Sequence, residues 1–294
     1  MGPLVDLRSA EGAVPIERDA VLVAGTEAVT YLQGQLSQDL EALGVGDSAP
    51  SLLLQPTGKV DAWLRVTRTG EDELALDVDP GHGEAVLARL QRFKLRTRVE
   101  LTSRRWAGWA LRGPSIERRE GVAPDVLVLP AGWPGVAGVD LLGEGVSLPA
   151  GLEERAVGSL EALRIECGVP AMGAELTEAT IPAEAGQWLV DASVSFTKGC
   201  YTGQELVARI DSRGGNVPRP IRGLRIHGDV PAVDSPVVLD GADVGRITSS
   251  AASAALGAVA LAAVSRTVEL GAEVEVVARD GGASLATVVA LPMR

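Results

Sequence analysis

The sequence changes to an all-β character at Val217-Pro218-Arg219-Pro220, and this change constrains the fold more than any other single feature. Beyond it, short runs with the composition of β-strands are centred near Leu224, Val237, Val244, Val259, Val274 and Val288. Turn dipeptides such as Asp240-Gly241 separate these runs. We therefore predict that residues 219–294 form a small barrel or sandwich and fold as a separate C-terminal domain.

The preceding 218 residues alternate between helical and strand patterns. Apolar residues recur at helical spacing in three segments: residues 29–40, 80–93 and 153–166. Residues 51–55 are a strand candidate, and alternation at period two predicts strands over residues 60–67, 73–78 and 95–101. Because helices and strands are interleaved by short turns, residues 1–218 are predicted to form two α+β subdomains, ferredoxin-like in part.

Composition excludes several classes of function. A formal charge of −12 argues against nucleic acid as a partner, because a phosphate backbone rewards clustered Lys and Arg. The most apolar stretch is shorter than the roughly 18 residues that a membrane span needs, and residues 1–14 lack a signal-peptide core. Two cysteines, Cys167 and Cys200, provide neither a disulfide framework nor a metal or iron–sulfur site. We expect a cytoplasmic protein with a small ligand or protein partners.

Lysine is rare in this chain. Only three of the 27 basic residues are lysines, namely Lys59, Lys94 and Lys198. Codon bias in an Arg-, Ala- and Gly-rich sequence is the ordinary explanation. The alternative is that a compact ammonium group is needed at these positions, since the planar guanidinium of Arg does not imitate it.

The segment around Cys200 has the pattern of a helix N-terminus. Thr202 and Glu205 stand in capping-box order before an apolar run, which predicts Thr202 as the N-cap. The helix dipole and the nearby Lys198 would then favour the thiolate form of Cys200. Gly199 and Gly203 on either side permit close approach of the backbone. The alternative is a buried cysteine that packs as a small hydrophobe.

The eight residues from Lys198 to Glu205, Lys-Gly-Cys-Tyr-Thr-Gly-Gln-Glu, resemble the Lys-Gly-Cys-aromatic-x-Gly-Gln-Glu motif of the YgfZ-type folate-binding proteins. These proteins are relatives of the glycine-cleavage T-protein and support iron–sulfur cluster assembly or repair. Weaker resemblances occur in the family's order at residues 31–39, 57–60, 95–99, 164–170, 181–186 and 244–250. The resemblance implies a T-protein-like folate-binding fold with a small C-terminal β-barrel.

The resemblance also implies that tetrahydrofolate, or a one-carbon derivative of it, is the ligand. A pterin ring presents two adjacent N–H donors that one carboxylate can accept together, and the resemblance assigns this role to Glu184. Trp63 and Trp188 are candidates to flank a ring, and core packing is the alternative for both. Three further candidates for folate binding are Asp61, Arg96 and Tyr201.

Arg96 lies in a basic stretch that spans residues 89–105, in which Glu100 is the single acidic residue. Such a stretch suits the acidic tail of a polyglutamylated folate. The alternative is an ordinary solvated helix end and strand face.

Three functions stay open, ranked in this order. The first is a folate-binding accessory protein that supports iron–sulfur enzymes, with Cys200 and Lys198 as its working residues. The second is a folate-dependent aminomethyltransferase, for which the resemblance implies an Asp-Asp pair soon after Gly58. A single Asp61 stands there, followed by Ala62, so we do not expect a functional aminomethyltransferase. The third is a thiol oxidoreductase without folate, whose resolving cysteine would have to be Cys167.

Overall fold

The computed structural model describes residues 3–116, 125–212, 214, 216–279 and 281–294. The chain divides into two compact units, and each is assembled from separate parts of the sequence. The first unit contains Met1–Ile16, Ala107–Pro170 and Val217–Arg294. The second unit contains Glu17–Trp106 and Ala171–Asn216.

Short helices alternate with antiparallel strands along the chain. The N-terminal elements are β1 (Gly12–Ala24), α1 (Ala28–Gln35), β2 (Ser48–Leu54), β3 (Val60–Gly70), β4 (Glu73–Val78), α2 (Gly83–Phe93) and β5 (Glu100–Arg112). The middle elements are β6 (Leu127–Pro130), β7 (Gly138–Gly143), α3 (Val157–Cys167), a 3₁₀ helix (Pro182–Ala185), α4 (Gln187–Ser193) and α5 (Gln204–Asp211). The C-terminal strands are β8 (Ile221–His227), β9 (Pro236–Leu239), β10 (Ala242–Ser253), β11 (Gly257–Val264), β12 (Glu273–Val277) and β13 (Ala283–Val289).

In the second unit the strands follow the order β2-β3-β4-β1, and all neighbours are antiparallel. The register places Leu22 opposite Ala75 and Leu52 opposite Trp63. Alternate side chains of β3 are buried because successive residues point to opposite faces of a sheet. One face packs with α1 and α2 in a core whose members include Val21, Leu32, Leu64, Leu76, Val86 and Leu90.

In the first unit, β5, β7 and β6 are consecutive antiparallel neighbours, and the C-terminal strands close into a barrel. The barrel order is β10-β11-β8-β13-β12-β9. Its interior is filled by side chains from alternate positions, among them Leu224, Val237, Ile247, Ala260, Val274 and Val288. All six strands expected in the C-terminal region are present. The α+β class and the small C-terminal barrel are therefore confirmed.

Two local expectations are wrong. The helix expected over residues 29–40 ends at Gln35, because Leu36 adopts an extended backbone and Ser37 donates its N–H to Leu52 O. The strand expected over residues 95–101 begins only at Glu100. A turn replaces its first half, since Lys94 O accepts the N–H and the hydroxyl of Thr97, at 3.0 and 2.5 Å.

The helices are all short. None among the described residues is both long and apolar enough to cross a membrane. Helix α3 ends as the sequence predicts, since Gly168 follows it in the left-handed conformation with φ of 73°. On this side of the first unit, Ile165 of α3 packs with Val259, Leu261 and Met293.

Candidate functional site

The loop that carries Cys200 joins α4 to α5, and its helix cap differs from the predicted one. Helix α5 begins at Gln204, and its N-cap is Gly203 in the left-handed conformation, with φ of 83° and no side-chain cap. The capping box expected between Thr202 and Glu205 is therefore wrong. The side-chain oxygen Oε1 of Gln204 instead accepts the N–H of Tyr201 at 3.2 Å.

Gly203 packs directly on the turn that precedes β3. A Cβ atom at Gly203 would lie 2.5 Å from Gln55 O and 3.3 Å from Gly58 Cα. A Cβ atom at Gly58 would lie 2.4 Å from Leu206 Cβ. Both glycines have positive φ, so each position needs glycine for its conformation as well as for the contact. The close approach expected at Gly199 is wrong, because no heavy atom lies within 4 Å of a Cβ placed there.

Lys198 is the most tightly bonded side chain of this loop. Its Nζ lies 2.7 Å from each of three main-chain oxygens, those of Gln33, Leu36 and Gln38. Burial lowers the pKa of Lys198 to about 8, although the nearby carboxylates of Asp39 and Glu41 act to raise it. Sequence reasoning missed these carbonyl partners. The only sequence feature related to them is the scarcity of lysine.

The two cysteines have opposite environments. The Cys200 side chain is exposed, whereas Cys167 is buried at the end of α3. Burial raises the pKa of the Cys167 thiol to about 11, although Arg8, with Nη2 at 3.5 Å from its sulfur, acts to lower it. A thiol held in its neutral form is a poor nucleophile, so Cys167 is unsuited to serve as a resolving cysteine.

Three predicted ligand residues lie in one apolar cluster of the second unit. Tyr201 is buried there, and Trp63 and Trp188 are partly buried against it. The two indole rings meet edge to face with centroids 6.1 Å apart. Trp63 Nε1 donates to Ser193 Oγ at 2.9 Å, which fixes the orientation of its ring. Burial raises the pKa of Tyr201 to about 12.

Glu184 lies on the 3₁₀ helix, next to a member of the same cluster, Ala185. One carboxylate oxygen, Oε2, accepts the N–H of Ile181 at 3.0 Å. The carboxylate is half-buried, and this bond uses only part of its capacity, because a carboxylate offers about four acceptor positions. Glu184 therefore retains the capacity to accept the paired donors of a pterin.

Asp61 is engaged in an ion pair at the start of β3. Its Oδ2 accepts from Arg89 Nε at 3.0 Å, and Arg89 also donates to Leu54 O at 3.2 Å. The guanidinium carbon of Arg89 stands 3.8 Å from the centre of the Phe93 ring. The neighbouring Ala62 is fully buried in the core. Asp61, the single acidic residue among the five positions after Gly58, thus already has a cationic partner.

Three of the seven basic residues in the stretch have acidic partners. Besides Arg89 with Asp61, Arg98 pairs with Glu27 and Arg105 with Glu17. Arg96 is exposed on the turn after α2, beside Leu95, which is 90% exposed and has φ of 48°. Among the described residues, no hydrogen bond, ion pair or ring contact joins Arg96 to the apolar cluster that contains Tyr201.

Four segments that carried the sequence resemblance meet within the second unit. Lys198 binds the segment that follows α1, Gly203 packs on the turn at Gly58, and Val60 N–H donates to Thr180 O beside the 3₁₀ helix. Together with the antiparallel sheet, the short helices and the closed C-terminal barrel, this arrangement defines a T-protein-like α+β protein.

Comparison with known proteins agrees with this class. A family model described as the glycine cleavage T-protein C-terminal barrel domain matches residues 219–293. The aminomethyltransferase of Thermus thermophilus is 32% identical over 93% of this chain and 84% of its own length. That of Moorella thermoacetica is 30% identical over 92% of this chain and 83% of its own. The chain belongs to the aminomethyltransferase family, whose glycine-cleavage members are called T-proteins.

A solved structure shows the same fold. The crystal structure of the glycine cleavage system aminomethyltransferase T from Bartonella henselae matches 98% of this chain and 87% of that chain with a TM-score of 0.77. Its sequence is 20% identical to this one. The similarity therefore extends through both compact units and is not limited to the barrel.

Proposed function

We propose that this protein binds tetrahydrofolate, or a one-carbon derivative of it, and supports the assembly or repair of iron–sulfur enzymes through the thiol of Cys200. The observation that carries the proposal is the position of that thiol. Cys200 is exposed on a loop fixed by Lys198 on one side and by Gly203 on the other. Tyr201, the next residue, belongs to the aromatic cluster.

The residues proposed for folate suit its chemistry. Glu184 has acceptor capacity left for the two N–H donors of a pterin, and each such charge-assisted bond contributes roughly 1.5–3 kcal/mol. Trp63 and Trp188 provide apolar ring surfaces in the adjoining cluster. Tetrahydrofolate when bound supplies the one-carbon carrier chemistry, and the chain's own part is to hold and orient it. The family's aminomethyltransferases support a folate ligand.

For Cys200, the proposed partners are iron–sulfur client proteins. An exposed thiol on a fixed loop is accessible to a macromolecule, whereas the buried Cys167 is not. Lys198 donates to main-chain oxygens, and Asp61, a candidate for folate binding, is paired with Arg89. The exposed Arg96 is proposed only for the acidic tail of the folate.

The second candidate function is aminomethyl transfer, and the named relatives favour it. Against it stand the ion pair of Asp61 with Arg89 and the burial of Ala62, which leave no free carboxylate pair at the expected place. We expect no formation of methylenetetrahydrofolate when purified protein is mixed with an aminomethylated carrier protein and tetrahydrofolate. Measurable product would make this the function.

The folate half of the proposal is tested by titration. Tetrahydrofolate is added to purified protein, and binding is followed by calorimetry and by tryptophan fluorescence. Glu184→Gln should weaken binding by about 1–3 kcal/mol, because an amide sets a donor against a pterin donor. Glu178→Gln is the matched control, since Glu178 is an exposed carboxylate in the preceding loop. Unchanged affinity in Glu184→Gln would remove this residue from the site.

The cysteine half is tested by complementation. Cys200→Ser is expressed in cells that lack the protein, and the activities of their iron–sulfur enzymes are measured. The variant should retain its fold and its folate affinity, because a hydroxyl fills similar space at an exposed position, yet fail to restore those activities. Cys167→Ala is the control and should restore them. Full restoration by Cys200→Ser would show that the thiol is not the working group.

A further inference from the structure

The end of α1 leaves several backbone carbonyl groups without amide partners. The last carbonyl oxygens of any helix lack an N–H donor from a following turn. Here the chain becomes extended at Leu36, and the next amide, that of Ser37, donates to Leu52 O on β2. The oxygens of Gln33, Leu36 and Gln38 converge instead on one point, at which the ammonium group of Lys198 lies.

Every N–H donor of the Lys198 ammonium group has a main-chain oxygen as its acceptor. An ammonium group has three N–H donors and no acceptor, and Lys198 Nζ meets three oxygens, each at 2.7 Å. A positive charge is also favoured at the carboxyl end of a helix. Because all three donors are directed at the main chain, none remains for a bond to the Cys200 sulfur.

Neighbouring bonds connect the same two segments. Ser37 Oγ donates to Ser193 O at 2.6 Å, and Ser195 N–H donates to Ser37 O at 3.0 Å. Thr202 N–H donates to Gly34 O at 3.3 Å on the far side of Cys200. Lys198 supplies the charged contact between these two groups of bonds, two residues before the thiol.

We propose that Lys198 is a positioning residue that holds the Cys200 loop on the carboxyl end of α1, and that it acts on the thiol through this geometry and not as its charge partner. The inference rests on the proposed function only in taking Cys200 as the working thiol. It explains why this position needs lysine. The planar fork of an Arg side chain cannot direct three donors to a single converging set of oxygens.

The test compares Lys198→Arg, Lys198→Gln and Lys198→Met with wild type. Lys94→Met is the matched control, because Lys94 lies on the turn after α2, away from these bonds. Two quantities are measured on protein without folate: hydrogen exchange of residues 33–38 and 198–204, and the rate of Cys200 alkylation by iodoacetamide across pH. Mass spectrometry separates the Cys200 peptide from that of Cys167.

If Lys198 positions the loop, neither Lys198→Met nor Lys198→Arg should hold it on α1 as wild type does. In each, exchange in both segments should become faster by on the order of tenfold, as expected for the loss of a charge-assisted bond. At pH values below about 8, where the Lys198 side chain is an ammonium group, alkylation of Cys200 should change by a similar factor throughout. Lys198→Gln, whose amide has two N–H donors, should give intermediate exchange and alkylation rates. Lys94→Met should match wild type in both. If Lys198→Met does not fold, the Arg and Gln variants decide the question.

A charge-partner role predicts a different pattern. Lys198→Arg would then show wild-type exchange and alkylation rates. Lys198→Met would shift the midpoint of the alkylation pH profile without changing hydrogen exchange in residues 33–38. Either of these results would overturn the proposal. Neither measurement involves folate or a client enzyme, so failure of the proposed function would appear separately, in the titration and the complementation.

Discussion

Gly203→Ala is the substitution that most directly tests how the Cys200 loop is built. Alanine at this position would adopt φ of 83°, and a left-handed backbone costs a residue with a Cβ about 1–2 kcal/mol. The added Cβ would also stand 2.5 Å from Gln55 O and 2.8 Å from Leu54 Cβ. Relief of such overlap requires a shift of the backbone, for which overpacking costs of about 1–3 kcal/mol are typical. We expect the free energy of unfolding to fall by about 2–5 kcal/mol.

Gly199→Ala, on the other side of Cys200, is the matched control. No heavy atom lies within 4 Å of its Cβ, so its effect should stay within about 0.5 kcal/mol. Urea denaturation followed by tryptophan fluorescence measures both variants. If Gly203→Ala were as stable as Gly199→Ala, the close contact between the loop and the turn at Gly58 would not exist in solution.

Two further predictions concern Cys167 and Trp63. Because burial raises the pKa of Cys167 from 9.0 to about 11, the unfolded chain ionises this thiol first, and stability should fall by about 2–3 kcal/mol as pH rises from about 9 to about 11. Cys167→Ala should not show this fall in the free energy of unfolding. If its stability fell with pH as steeply as that of wild type, the prediction would be wrong. Trp63→Phe should lower the free energy of unfolding by about 0.5–1.5 kcal/mol more than Trp188→Phe, because it removes the indole bond to Ser193. Equal losses in urea denaturation would show that this bond contributes nothing.

The C-terminal barrel was predictable because its information is local. Its strands have four to twelve residues, and both their strand-like composition and the turn dipeptides that separate them are visible in the local sequence. The end of α3 was predictable for the same reason, since Gly168 can adopt the left-handed conformation that closes a helix. The division of the chain after residue 218 stays a prediction, although the barrel family model begins at residue 219.

The residues of the candidate site stay predictions, and the contacts that they make could not be predicted from the sequence. Sequence alone singled out Cys200, Lys198 and Glu184, because motifs record which residue types stand together in the chain. It assigned Lys198 to the thiol and the helix cap to Thr202, and the structure places the ammonium on three carbonyl groups and the cap at Gly203.

Tertiary contacts decided these points. The turn at residues 94–97 and the early end of α1 override patterns that, taken locally, continue a strand and a helix. Lys198 finds its partners about 160 positions earlier in the chain, where the end of a helix leaves carbonyl oxygens unpaired. Gly203 is required by the backbone of Gln55, which no local pattern in the Cys200 segment records. The sequence by itself determined the elements and the chemistry available, and only the packing of distant segments decided which groups each side chain meets.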